Sequence, residues 1–84
     1  MMNTAQLEKQ LTNELGIILD KPVSPEDDLV EAGLDSFATM QIIAYLEDSF
    51  GIEVPEERLP AGNFENARVI MEWVHPMIEA VSEI

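Results

Sequence analysis

No cysteine occurs in the 84 residues of this chain. That absence excludes a disulfide staple and a thiolate-bound metal, so stability rests on packing alone. Bases are nearly as scarce, with four Lys and Arg against seventeen Asp and Glu and a formal net charge of −13. A chain so acidic repels nucleic acid phosphates and anionic membranes, both of which bind proteins through Lys and Arg. Long apolar runs are missing too: none approaches the roughly 20 residues that span a bilayer. The opening "MMNTAQLEKQL" has neither a basic start nor an apolar targeting core, and the expectation is a soluble cytoplasmic protein that stays a monomer.

What is present is a 46% apolar composition, enough for one small core at a length near the lower limit for independent folding. The acids cluster. Between Pro22 and Pro60 there are ten Asp or Glu and one base, Arg58. Such a run is either a solvated surface or a face that attracts basic partners, and charge alone does not choose.

Periodicity and caps outline an all-α bundle of three main helices and one minor one. Asn3 caps a first helix that ends at Leu15, with Gly16 as the stop and Leu7, Leu11, Leu15 and Ile18 as its buried stripe. A long connection, Leu19 to Leu34, follows; "SPEDDL" within it suggests one short helical turn, and Val23, Leu29 and Leu34 anchor it. The second helix, Ser36 to Phe50, has Asp35 as N-cap and Gly51 as stop. A short third helix is expected at about 56–59 beside Pro55. The last covers Ala67 to His75, capped by Asn66 or Asn63, with a kink or break expected at Pro76 before Met77, Ile78 and Val81 resume the stripe.

Two faces of the second helix separate by spacing. Ile42, Ile43, Leu46 and Phe50 belong to the core, whereas Ser36, Met40, Ala44 and Glu47 run along another line flanked by Phe37 and Gln41. That second line is either buried as well or an exposed strip suited to a partner. Ser36 at its head is either a plain helix-start residue or a reactive position. A self-activating nucleophile needs a base and oxyanion donors, and the lone histidine, His75, sits far along the chain with no G-x-S-x-G elbow at Ser36. Glu26, Asp27 and Asp28 lack the calcium-loop pattern and read as solvated loop acids. His75 reads as a surface residue, and Trp73 and Phe50 as core.

In context "GLDS", opening an amphipathic helix after a long acidic loop, resembles the attachment motif of the acyl carrier protein family. The resemblance takes in "DDLVEAGLDS", "LEDSFGIEVPEERL" and "FENARVIMEWV", nearly the whole chain. It implies a single carrier domain with the small four-helix bundle of that family. Ser36 would bear a covalent 4′-phosphopantetheine arm, with Asp35 as the adjacent motif residue. It further implies a non-catalytic protein: a phosphopantetheinyl transferase moves the arm from coenzyme A using magnesium, and the arm's thiol then holds an acyl or aminoacyl group as a thioester. Partners would be that transferase and a loading enzyme, acyltransferase or ketosynthase, docking on Phe37, Met40, Gln41, Ala44, Glu47, Asp48, Glu53, Glu56 and Glu57. Phe37, Ala38 and Gln41 stand where fatty-acid carriers usually have leucine and acids, and the glycine-rich lead-in of nonribosomal peptide carriers is absent. Those departures point to a discrete carrier of a specialised pathway, polyketide, aminoacyl or antibiotic. A D-alanyl or fatty-acid carrier is the alternative, and an acidic adaptor without a prosthetic group is the alternative of another class.

Overall fold

A computed structural model describes residues 3–82, and every α- or 3-10 element among them is helical, with no strand. Helix α1 (Thr4–Leu19) starts from a reciprocal cap: Asn3 Oδ1 accepts the Gln6 N–H at 2.8 Å and Gln6 Oε1 accepts the Asn3 N–H at 3.1 Å. It does not stop at Gly16. The helix runs on to Leu19, and Asp20 takes the left-handed cap position with φ 57°. Gly16 serves another purpose, because a Cβ there would stand 3.0 Å from the Lys21 carbonyl oxygen where the chain folds back. Lys21 N–H donates to Gly16 O at 3.1 Å in the same approach.

The connection from α1 to α2 contains no helix; the segment expected to form one is a closed turn. Asp27 Oδ2 accepts the Ser24 N–H at 2.8 Å, and the Asp27 N–H returns to Ser24 O at 3.1 Å. Asp28 Oδ1 accepts from both Val30 and Glu31, at 2.9 and 3.2 Å. Asp27 and Asp28, read as merely solvated, therefore shape the loop through Asx-type bonds. Leu29 is fully buried and its N–H donates to Glu65 O at 2.9 Å, which ties the loop to the segment entering the last helix.

Helix α2 (Ser36–Phe50) closes at Gly51, and Pro55 then precedes a 3-10 helix, Glu56–Arg58. A second 3-10 helix, Ala61–Phe64, was not foreseen. Helix α3 (Ala67–Ser82) is capped by Asn66, whose Oδ1 accepts the Val69 N–H at 2.9 Å, and it continues unbroken through Pro76. The reason is burial on the opposite side. Pro76 and Glu72, one turn before it, are exposed while Val74 and Ile78 are buried, so packing holds both halves on the core and the lost hydrogen bond falls on the outer face.

One core joins the three helices: Leu7, Leu11 and Leu15 of α1, Ile42 and Leu46 of α2, and Ile70, Val74 and Ile78 of α3, completed by Leu29 and Phe64. Each such side chain contributes about 1.5–3 kcal/mol relative to exposure. Ile43 and Phe50 are only half-buried. No polar or charged side chain among the described residues is buried. Among the described residues no helix is long and apolar enough to cross a membrane.

Candidate functional site

The site is built where the loop meets α2. Gly33 turns the chain at φ 112°, a backbone region that residues with a Cβ rarely adopt. Its N–H donates to Val30 O at 3.1 Å, and Leu34 N–H donates to Leu29 O at 2.8 Å. This closed turn delivers Asp35 in extended geometry, and its Oδ1 accepts the Ala38 N–H at 2.8 Å. Thr39 adds its N–H and its hydroxyl to the Asp35 carbonyl, both at 2.9 Å.

Ser36 is the first residue of α2 and is exposed. Asp35 engages only the third N–H of the helix, so those of Ser36 and Phe37 remain without a partner at the positive end of the helix dipole. An exposed hydroxyl beside two free donors fits a phosphodiester, which the dipole and the N–H groups would both favour. His75 does not serve this hydroxyl. It is half-buried within α3, not at a helix end, and its Nδ1 pairs with Glu79 Oε1 at 3.0 Å. It lines a groove with Thr4, Glu8 and Arg68, separate from the one beside Ser36. Ser36 therefore has an acceptor's exposure without a resident base.

Beside Ser36 lies a groove of 390 Å³ walled by Val30, Leu34, Met40, Ile43 and Leu59 above the buried ring of Phe64. The second line of α2 is on the surface: Phe37, Met40, Gln41 and Ala44 are all exposed. Asp48, Glu53, Glu56 and Glu57 are exposed further along. Glu47 differs from these. It is half-buried, and its Oε2 accepts the Val54 N–H at 2.9 Å across the Gly51 turn. Sequence reasoning missed Val30 and Leu59. Val30 had a signal, since Leu29 and Val30 sit together in a turn that buries only one of them; Leu59 had none.

The far wall of the groove is fastened from behind by Trp73. Its Nε1 donates to Asn63 O at 3.0 Å, its ring meets Phe64 edge-on at 5.6 Å, and the Arg58 guanidinium lies 5.8 Å above it. These contacts set the segment carrying Leu59 and Phe64 against α3.

Comparison with known proteins bears on the same stretch. The family model described as "Phosphopantetheine attachment site" matches residues 5–74. A relative from Agrobacterium fabrum named "Aminoacyl carrier protein" is 33% identical over 57 residues, which is 68% of this chain and 69% of that protein.

Proposed function

Since this chain belongs to the acyl carrier family defined by a phosphopantetheine attachment site, we propose that Ser36 is the residue that receives the arm and that aminoacyl groups are its cargo. The family's covalent 4′-phosphopantetheine supplies a thiol on which a carried group is held as a thioester. The observation that carries the assignment to Ser36 is its placement as an exposed hydroxyl at the head of a capped helix, beside two free N–H groups. The other described serines differ: Ser24 belongs to a closed turn, Ser49 engages the Tyr45 side chain, and Ser82 is the last residue of α3. Asp35 holds the helix end rigid through the Ala38 bond, which keeps the hydroxyl presented to an enzyme that brings its own base and metal.

Aminoacyl cargo is favoured over a polyketide one by the named relative, and Phe37, Ala38 and Gln41 in place of leucine and acids argue against a fatty-acid carrier. The protein would work as a discrete cytoplasmic carrier in a specialised pathway, meeting a transferase and a loading enzyme over Phe37, Met40, Gln41 and Ala44. The test is intact mass and peptide mapping after incubation with coenzyme A, magnesium and a broad-specificity phosphopantetheinyl transferase. The added group is expected on the Ser36 peptide alone, with Ser36→Ala folded and unmodified. Modification of Ser36→Ala would remove the assignment.

A further inference from the structure

The four bases of the chain divide into two kinds. Arg68 pairs with Glu26 at 3.3 Å, and Arg58 lies over the Trp73 ring. Lys9 and Lys21 have no ion-pair partner among the described residues, and both line one groove of 910 Å³ between α1 and the chain that follows it. That chain can lie so close because Gly16 lacks a Cβ; one built there would stand 3.0 Å from the Lys21 carbonyl oxygen. Ile17, in the same groove, is 65% exposed. Lys9, Asn13 and Ile17 follow at four-residue spacing and form one outward line, with about 12 Å of helix from Lys9 to Ile17.

The acids nearby are engaged elsewhere, with one exception. Glu8 lines the groove with Arg68 and His75, and Glu14 lies near Tyr45. Glu26 is held by Arg68, and Asp27 and Asp28 by backbone N–H groups of their own loop. Asp20 is the one acid among the described lining residues. The groove therefore sets two cations against one acid in a chain whose net charge is −13.

We infer that this groove docks an acidic amphipathic segment of a partner protein, with carboxylates meeting Lys9 and Lys21 and an apolar side chain resting on Ile17. Charge complementarity selects that occupant, because a neutral segment would desolvate both ammonium groups with no ion pair in return and a basic one would be repelled by them. The remaining acids of the chain oppose an acidic partner at long range. Beyond a Debye length of about 8 Å at physiological salt that repulsion is largely screened, whereas pairs in contact are screened less. Asp20 and the negative end of the α1 dipole offset Lys21, so Lys9 carries the larger share of the attraction. The groove shares no lining residue with the one beside Ser36, so docking here uses side chains other than those around the attachment position. The inference goes beyond the carrier reading and does not depend on it.

The test titrates isotope-labelled, unmodified protein with a synthetic amphipathic helix of Glu and Leu at about 0.15 M salt, following backbone amide shifts by NMR. The largest shifts are expected at Lys9, Asn13, Ile17 and Lys21. Ile17→Ser should weaken binding about tenfold through lost apolar burial, and Lys9→Glu about fivefold through reversal of one charge. The same peptide with Gln in place of Glu should bind about fivefold more weakly. Val81→Ser, also an exposed apolar change but outside the groove, should bind as wild type. No shifts up to about 1 mM peptide, shifts centred on Phe37 and Met40, or equal affinity for the Gln peptide would each overturn the inference. So would a dimer in sedimentation that Ile17→Ser dissolves, since the groove would then hold a second copy. The peptide assay uses no coenzyme A, so its failure leaves the assignment of the arm to Ser36 standing, and failure of the modification assay leaves this result standing.

Discussion

Glu47 separates an acid that holds the fold from an acid that meets partners. It lies in the last turn of α2, where the dipole disfavours negative charge, and no base accompanies it there. What offsets that position is the 2.9 Å bond from Val54 N–H, half-buried behind the Gly51 turn. Glu47→Ala leaves that donor unsatisfied, at about 1–3 kcal/mol, and charge-assisted bonds sit in the upper part of that range. Glu47→Gln keeps an acceptor oxygen of the same reach and relieves the dipole, so its cost should stay below about 1 kcal/mol. For a domain of this size 1 kcal/mol shifts Tm by about 4–8 °C. The alanine variant should therefore melt roughly 8–16 °C lower for a 2 kcal/mol loss and the glutamine variant within a few degrees of wild type. Thermal circular dichroism measures both, and transferase kinetics below the transition should match wild type for Glu47→Gln. An alanine variant that melts with wild type would refute the reasoning. So would a glutamine variant that keeps its Tm but loses transfer rate, which would place the carboxylate on a partner.

Pro76→Ala restores an N–H opposite the Glu72 carbonyl inside α3, and the protein should gain stability, by at most about 3 kcal/mol and less because the site is exposed. A lowered melting temperature would contradict it. Burial raises the Tyr45 pKa above its ordinary 10.0, the Glu14 charge adds to this, and the Ser49 hydrogen bond opposes it. Below pH 10.0 both states keep the phenol proton, and above it the unfolded chain loses that proton first; stability should fall as pH rises from there through the folded pKa. Urea denaturation along that pH series should show the decline weakened in Tyr45→Phe, and an identical slope would exclude this origin.

Features written in neighbouring residues were legible before the structure. Asp35 before Ser36, and the apolar spacing of Leu7, Leu11 and Leu15, are signals carried within a turn or two of chain. What was illegible depends on distant contacts. Gly16 resembles a stop until Lys21 is seen folding back against it, and the true cap, Asp20, is a residue type that adopts left-handed geometry less readily than glycine. Glu47 aligns with the outward face of α2 by spacing, yet a bond to a residue seven positions later draws it inward. Leu59 reaches the groove only because the second 3-10 helix and Trp73 place its segment there. Pro76 misled because helix-breaking is an intrinsic preference, and the buried stripe of α3 outweighs it.

Trp73 is the single tryptophan of the chain, and it grips the segment that forms one wall of the groove at Ser36. Indole emission depends on the hydration and hydrogen bonding of its N–H, so any displacement of that wall is written directly into the intrinsic fluorescence. The protein thus contains its own optical probe, free of interference from a second tryptophan. A change at the groove that moves this wall would therefore be followed in the unlabelled protein through Trp73 emission.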